Sequence, residues 1–185
     1  MKTYTIIGGI NGVGKSSLLG VLKSIYNLGR IVDVERFMTN ENGLNINACK
    51  QAVRIIDESM EAGISFCQET CLTGYKTVKT VKKAVEMGYD IDLYYVGVDS
   101  FSECNHRIVN RVVRGGLSID RDIVERRFGV KFVTLFKILK YCKKVVFYDN
   151  QNGFTEVAQF KNSEIIPIGS YQPDWVKEMI KEYTD

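Results

Sequence analysis

Residues 3–25 read TYTIIGGINGVGKSSLLGVLKSI: an apolar run, a glycine-rich turn, then apolar residues at helical spacing. The turn, Gly9-Ile10-Asn11-Gly12-Val13-Gly14-Lys15-Ser16, matches G-x-x-x-x-G-K-[ST], the phosphate-binding loop. Its glycines let backbone N–H groups approach phosphate oxygens with no Cβ in the way. The helix that starts near Lys15 aims its positive end at the same oxygens. Lys15 is expected to reach the β- and γ-phosphates, and Ser16 to ligate Mg²⁺. Ser17 is a second candidate that also simply continues the helix.

Outward from this loop, strands and helices alternate. Thr3 to Gly8 reads as a buried strand, and Leu18, Leu19, Leu22 and Ile25 give the helix from Lys15 to Tyr26 its apolar face. Further strands are expected at Arg30–Val34, 64–69, 90–98 and 144–150. Between them lie a polar loop at 38–44, a helix over Asn45–Ala62 stopped by Gly63, and a basic amphipathic helix over Tyr75–Met87. Ser100-Phe101-Ser102-Glu103 has the form of a capping box opening a helix through Arg114. Gly115-Gly116 break that helix, and a further helix or helix pair covers about Ile119 to Tyr141. TEVAQF and EIIPIG form a hairpin, and a last helix runs from Pro173 to Tyr183. Short alternating units imply an α/β phosphate-loop NTPase fold. The expected sheet is five-stranded and mainly parallel, with helices on both faces and a small C-terminal hairpin and helix at about 151–184.

The bulk composition narrows the function classes. The chain has 185 residues, 45% of them hydrophobic, which suits one domain over 1–185. A net charge of +3 is thin support for nucleic-acid binding. The five cysteines, Cys49, Cys67, Cys71, Cys104 and Cys142, contain no C-x-x-C pair, so a metal cluster and a disulfide framework are both disfavoured. No signal-peptide pattern opens the chain and no apolar run approaches the roughly 20 residues of a membrane span. The expected setting is the cytoplasm, without membrane contact.

GTPases usually carry N-K-x-D, and motor or transporter ATPases an apolar strand ending in Asp-Glu. The first is absent and the fourth strand ends in Asp99-Ser100. A small-molecule kinase remains. Asp99 reads as strand-end polarity, or less readily as a metal-side carboxylate. A kinase needs a base near the acceptor hydroxyl and cations around the transferred phosphoryl. Asp33 and Glu35, two apart at the end of the second strand, share a face. Glu69 and Thr70 end the third strand in CQETCLTG, with Thr73 just beyond; the three are candidates for the acceptor side. Arg107, Arg111 and Arg114 share a helix face, and Arg121, Arg126 and Arg127 follow. Guanidinium forks suit phosphate oxygens, and this hinged segment, about 104–141, reads as a lid. Arg126 and Arg127 lie about 100° apart on a helix, so one of them is expected to face the phosphates.

The order GGINGVGKSS, VDVERF, ETCLTG, RIVNRVVRGGLSIDRDIVERRF and VVFYDN resembles the zeta toxin family of phosphate-loop kinases, over roughly residues 3–150. The resemblance implies ATP, Mg²⁺ and phosphorylation of a hydroxyl; in the toxins the acceptor is UDP-N-acetylglucosamine. It puts the base at Glu35, with Asp33 beside it, and Glu69, Thr70 and Thr73 on the acceptor. The γ-phosphate falls to Arg111 and to Arg126 or Arg127. The cofactor is expected at Gly9, Asn11, Gly12, Val13, Gly14, Lys15, Ser16 and Ser17, with Asp149 and Asn150 of VVFYDN. An antitoxin-like protein partner also enters with it. The chain departs from the family at Glu35, where aspartate is usual, at Leu117, where compact members have histidine, and at Asp120, where they have proline. His106 lies too far off to replace that histidine. Two other readings stay open: an ATP-binding regulatory module with weak or no transfer, and an RNA-end kinase.

Overall fold

A computed structural model describes residues 1–32 and 46–185 of the chain. Among the described residues, seven strands form one sheet: β1 (Thr3–Gly8), β2 (Arg30–Val32), β3 (Phe66–Thr70), β4 (Asp90–Gly97), β5 (Lys144–Asp149), β6 (Thr155–Lys161) and β7 (Glu164–Pro167). The helices are α1 (Lys15–Ile25), α2 (Ile46–Glu61), α3 (Tyr75–Glu86), α4 (Phe101–Val113), α5 (Arg121–Gly129), α6 (Val133–Leu139) and α7 (Asp174–Thr184). Spatial order is β2-β3-β1-β4-β5-β6-β7. The first five strands are parallel.

The expected five strands become seven because the C-terminal hairpin continues the sheet. β6 pairs antiparallel with β5, Asp149 opposite Thr155, and β7 pairs antiparallel with β6. The hairpin thus satisfies backbone groups that the edge of β5 would otherwise leave open.

Alternation along the strands divides the core between the two sheet faces. Tyr4 and Ile6 of β1, with Ile91, Leu93 and Tyr95 of β4, pack against α2, α3, α6 and α7. Ile7, Tyr94 and Val96 point the other way, against Leu18, Leu19 and Leu22 of α1, Cys104 and Ile108 of α4 and Val124 of α5. Burial pushes the Cys67 and Cys104 thiols up to about 12, and the described cysteines form no disulfide. Among the described residues no helix is long and apolar enough to cross a membrane.

Three local expectations are refined. Half of the capping box forms: Ser100 Oγ accepts from the Glu103 N–H at 3.2 Å, but the Glu103 carboxylate turns to Arg107 Nε at 2.6 Å. The stretch after Gly115-Gly116 is a helix pair, α5 and α6. Asp120, where proline was the family pattern, caps α5 by accepting from the Asp122 N–H at 2.8 Å. Asp99 caps a helix distant in sequence: its Oδ1 accepts from the Trp175 N–H at 2.9 Å, at the start of α7.

Candidate active site

The phosphate loop joins β1 to α1, at the carboxyl end of the parallel sheet where ligands of such folds bind. Neighbours pack closely around it. A Cβ on Gly12 (φ +85°) would lie 2.4 Å from the Cys104 carbonyl oxygen, and one on Gly14 (φ +101°) 2.4 Å from Asn150 Nδ2. The positive φ favours glycine at both positions, and at Gly12 the Cys104 backbone also leaves no room for a Cβ. α4 and the β5–β6 turn therefore close on the loop from outside.

Lys15 is 7% exposed, and its Nζ donates to the Ile10 carbonyl at 3.0 Å. Ser16 Oγ donates to Glu69 Oε2 at 2.9 Å. The register explains this meeting: Ile7 of β1 stands opposite Glu69 of β3, which ends beside the loop. Thr70 Oγ1 accepts from the Leu72 N–H at 3.2 Å in the turn beyond. Leu72, at φ 52°, is fully buried, with its side chain filling the space that a Cβ on Gly8 would take. Thr70 and Thr73 are half-buried on this acceptor side.

The arginines arrive from α4 and α5. Arg107 donates through Nη2 to the Asn150 carbonyl at 2.6 Å and through Nη1 to the Val13 carbonyl at 3.4 Å. Asn150 Nδ2 donates to the same Val13 carbonyl at 2.8 Å. Arg111 Nη2 donates to the Leu117 carbonyl at 2.9 Å. Its stem passes close to Gly116, where a Cβ would lie 2.5 Å from Arg111 Cγ. Arg127 Nη1 donates to Asn11 Oδ1 and lies 3.8 Å from Cys71 Sγ. Arg126 is exposed. Of the adjacent pair, Arg127 is the one turned to the loop.

Between these groups lies a cavity of 340 Å³, lined by Gly12, Gly14, Lys15, Ser16, Ser17, Arg107, Ile108, Arg111 and Asn150. A second of 410 Å³ follows along α4, lined by Arg107, Asn110, Arg111, Arg114 and Gly116. The first cavity brings the Lys15 ammonium, the Ser16 and Ser17 hydroxyls and the Arg107 and Arg111 guanidinium groups to the side of the loop where phosphates bind.

Asp149, expected beside the cofactor, is placed elsewhere. It is buried at 1% exposure and accepts from Trp175 Nε1 at 2.8 Å, the Gln151 N–H at 2.9 Å and Tyr171 OH at 3.2 Å. Its oxygens serve the docking of α7, and only its neighbour Asn150 reaches the cavity. Asp33 and Glu35 lie outside the described residues. Exposed His106 meets Asn110 at 3.3 Å and plays no part in the cavity. Cys71 was not singled out by sequence reasoning. Its thiol sits 3.2 Å from Asn11 Oδ1 and 4.0 Å from Lys15 Nζ. Its place between Glu-Thr and Leu in ETCLTG was the available signal.

The chain matches no family model. An uncharacterized protein of Haemophilus influenzae is 29% identical over 125 residues, covering 65% of this chain and 88% of that one. Among solved structures, a chain from the PezAT chromosomal toxin–antitoxin system of Streptococcus pneumoniae superposes with a TM-score of 0.63 at 14% identity, covering 100% of this chain and 85% of that one. The AvrRxo1-ORF1:AvrRxo1-ORF2 complex with sulphate ions gives a TM-score of 0.68 at 13% identity, covering 97% of this chain; the chain spans 63% of that one. The same complex has been solved with ATP. The chain shares its α/β phosphate-loop fold with these structures, as its sequence and its resemblance to the zeta toxins implied.

Proposed function

We propose that the protein is an ATP-dependent kinase that transfers the γ-phosphoryl group to a hydroxyl of a small acceptor. The convergence of Lys15, Arg107 and Arg127 on one glycine-rich loop, with Arg111 lining the cavity beside it, carries this reading. Phosphoryl transfer asks a protein mainly to position and to stabilise charge. Lys15 exchanges the Ile10 carbonyl for β- and γ-phosphate oxygens. The α4–α5 segment acts as the lid, with Arg111 and Arg127 spreading over the charge that moves in the transition state. The hydroxyl of Ser16 and the carboxylate of Glu69, 2.9 Å apart, form a hard oxygen pair suited to Mg²⁺. That ion neutralises charge on the phosphates when bound. Glu69 then serves the metal side, in addition to the acceptor-side role expected of ETCLTG.

Thr70, Thr73 and the Asp33–Glu35 pair complete the acceptor side, with Glu35 as base. A nucleotide sugar such as UDP-N-acetylglucosamine fits the family pattern, and an antitoxin-like protein is the expected partner. Free thiols and a need for ATP suit the cytoplasm.

γ-Labelled ATP incubated with the protein and a metabolite extract is expected to yield a labelled small molecule. Glu35→Gln should remove that product while Asp33→Asn weakens it. Label released only as inorganic phosphate would overturn transfer and favour the regulatory-module reading. Label on RNA ends alone would favour an RNA-end kinase.

A further inference from the structure

Resting on that reading, we propose that Asn11 is a positioning residue for the lid: its buried carboxamide oxygen seats Arg127 over the phosphate loop before any nucleotide arrives. The loop motif leaves position 11 open, because phosphates are met there by backbone N–H groups and by the lysine and serine at its end. The motif thus places no demand of its own on the Asn11 side chain. It is 3% exposed, and its Oδ1 accepts both from Arg127 Nη1 and from the Cys71 thiol, the latter at 3.2 Å.

The chemistry of the seat suits positioning. An amide oxygen has two lone pairs, and the guanidinium and the thiol take one each. A guanidinium carries five N–H donors in a rigid fork. Fixing one through Nη1 orients the fork and leaves the others for an incoming phosphoryl oxygen. The amide is neutral, so it leaves the charge of Arg127 intact for that oxygen. Arg107 contrasts with this, because Glu103 accepts from its Nε at 2.6 Å and offsets part of its charge.

The placement also matters. α4 is tied to the loop by Arg107, through the Val13 carbonyl. Among the described residues, the hydrogen bond that ties α5 to the loop is the one from Arg127 to Asn11, across 116 residues of sequence. Val124 and Phe128 anchor α5 by packing, and Asn11 adds the directional tie that holds Arg127 toward the loop.

The test is hydrogen exchange of α5 backbone amides in the nucleotide-free protein, for wild type, Asn11→Ala, Arg127→Ala and the double variant. A hydrogen bond to a charged group is at stake, so each single variant should raise α5 exchange about tenfold. The double variant should exchange no faster than either single one. Asn11→Asp keeps an acceptor oxygen and should restore wild-type protection; it also serves as the folded comparison should Asn11→Ala fail to fold. Unchanged α5 exchange in Asn11→Ala, or a double variant that adds a full second increment, overturns the proposal. An ADP titration of wild type, run alongside, separates the two readings. Absence of ADP binding would sink the kinase reading, while the exchange result still decides the seat.

Discussion

The two faces of the sheet are held together by different means. On the face of α2, α3, α6 and α7, large apolar side chains meet: Tyr95 lies against Phe132, Phe147 and Trp175, and Tyr4 stacks on Phe66. On the face of α1, α4 and α5, the contacts nearest the loop are polar. They run from arginine, asparagine and serine to carbonyl, amide and carboxylate oxygens. Apolar burial is non-directional and supplies most of the favourable free energy of folding. Charged hydrogen bonds are directional and can be exchanged for bonds to a phosphate. Stability is therefore expected to reside mainly on the first face and chemistry on the second.

The sharpest test of this division is Arg127→Ala. Loss of a lid arginine acts on charge that moves during transfer, and should lower turnover by a factor on the order of 10³. Exposed Arg126→Ala is an isolated surface change and should cost less than about 0.5 kcal/mol of stability, with turnover near wild type. Transfer rates at saturating ATP, with a thermal melt of each variant, check both statements. Equal losses of turnover from the two would break the assignment of Arg127.

The reciprocal test is Trp175→Ala on the other face. The indole is 2% exposed, packs into the space beside Gly97, and donates Nε1 to buried Asp149. Truncation removes a large buried side chain and leaves a buried carboxylate short of a donor. A loss of about 3–5 kcal/mol is expected, read from urea denaturation. A loss below about 1 kcal/mol would mean that α7 adds little to the core, against the typical range for such truncations.

These two residues also mark what could be read from sequence. The phosphate loop was legible because fixed residue types at fixed spacing admit one backbone course between a strand and a helix. The alternation of strands and helices was legible for the same local reason. The choice between Arg126 and Arg127 was not, because it depends on the rotation of α5. Val124 and Phe128 set that rotation by packing into the core beside the loop. Asp149 was misplaced because a strand-end carboxylate can face a ligand or the interior. Trp175, 26 residues later, decides the matter by bringing its N–H into the interior. Glu69 could be picked out as a candidate from its strand-end place, but its pairing with Ser16 needed the β1–β3 register.

Within the lid, smaller effects should separate side-chain roles from backbone roles. Asp120 caps α5 through its side chain. Asp120→Ala should therefore cost about 1 kcal/mol of stability, the usual worth of an N-cap. A melt indistinguishable from wild type would show that the cap contributes nothing in place of the proline of the family pattern.

Leu117 should matter least, although it stands where compact family members have histidine. Arg111 uses the carbonyl of Leu117, at 2.9 Å, and a carbonyl is present whatever the side chain. Leu117→Ala keeps a Cβ and the backbone bond, so turnover should stay within about threefold of wild type, a change of the size typical for surface substitutions. The neighbouring position gives the contrast. A Cβ on Gly116 would lie 2.5 Å from Arg111 Cγ and 2.9 Å from the Arg111 carbonyl oxygen. Gly116→Ala must therefore displace Arg111, and a displacement on the order of 1 Å can cost about 10²-fold in rate. Measuring the two variants together at saturating ATP tests the backbone role directly. If Leu117→Ala loses as much as Gly116→Ala, the Leu117 side chain has a part in the site and the family's histidine position is functionally occupied. If Leu117→His raises turnover while Leu117→Ala leaves it unchanged, the backbone role of residue 117 stands and the imidazole adds a contact that this protein does without.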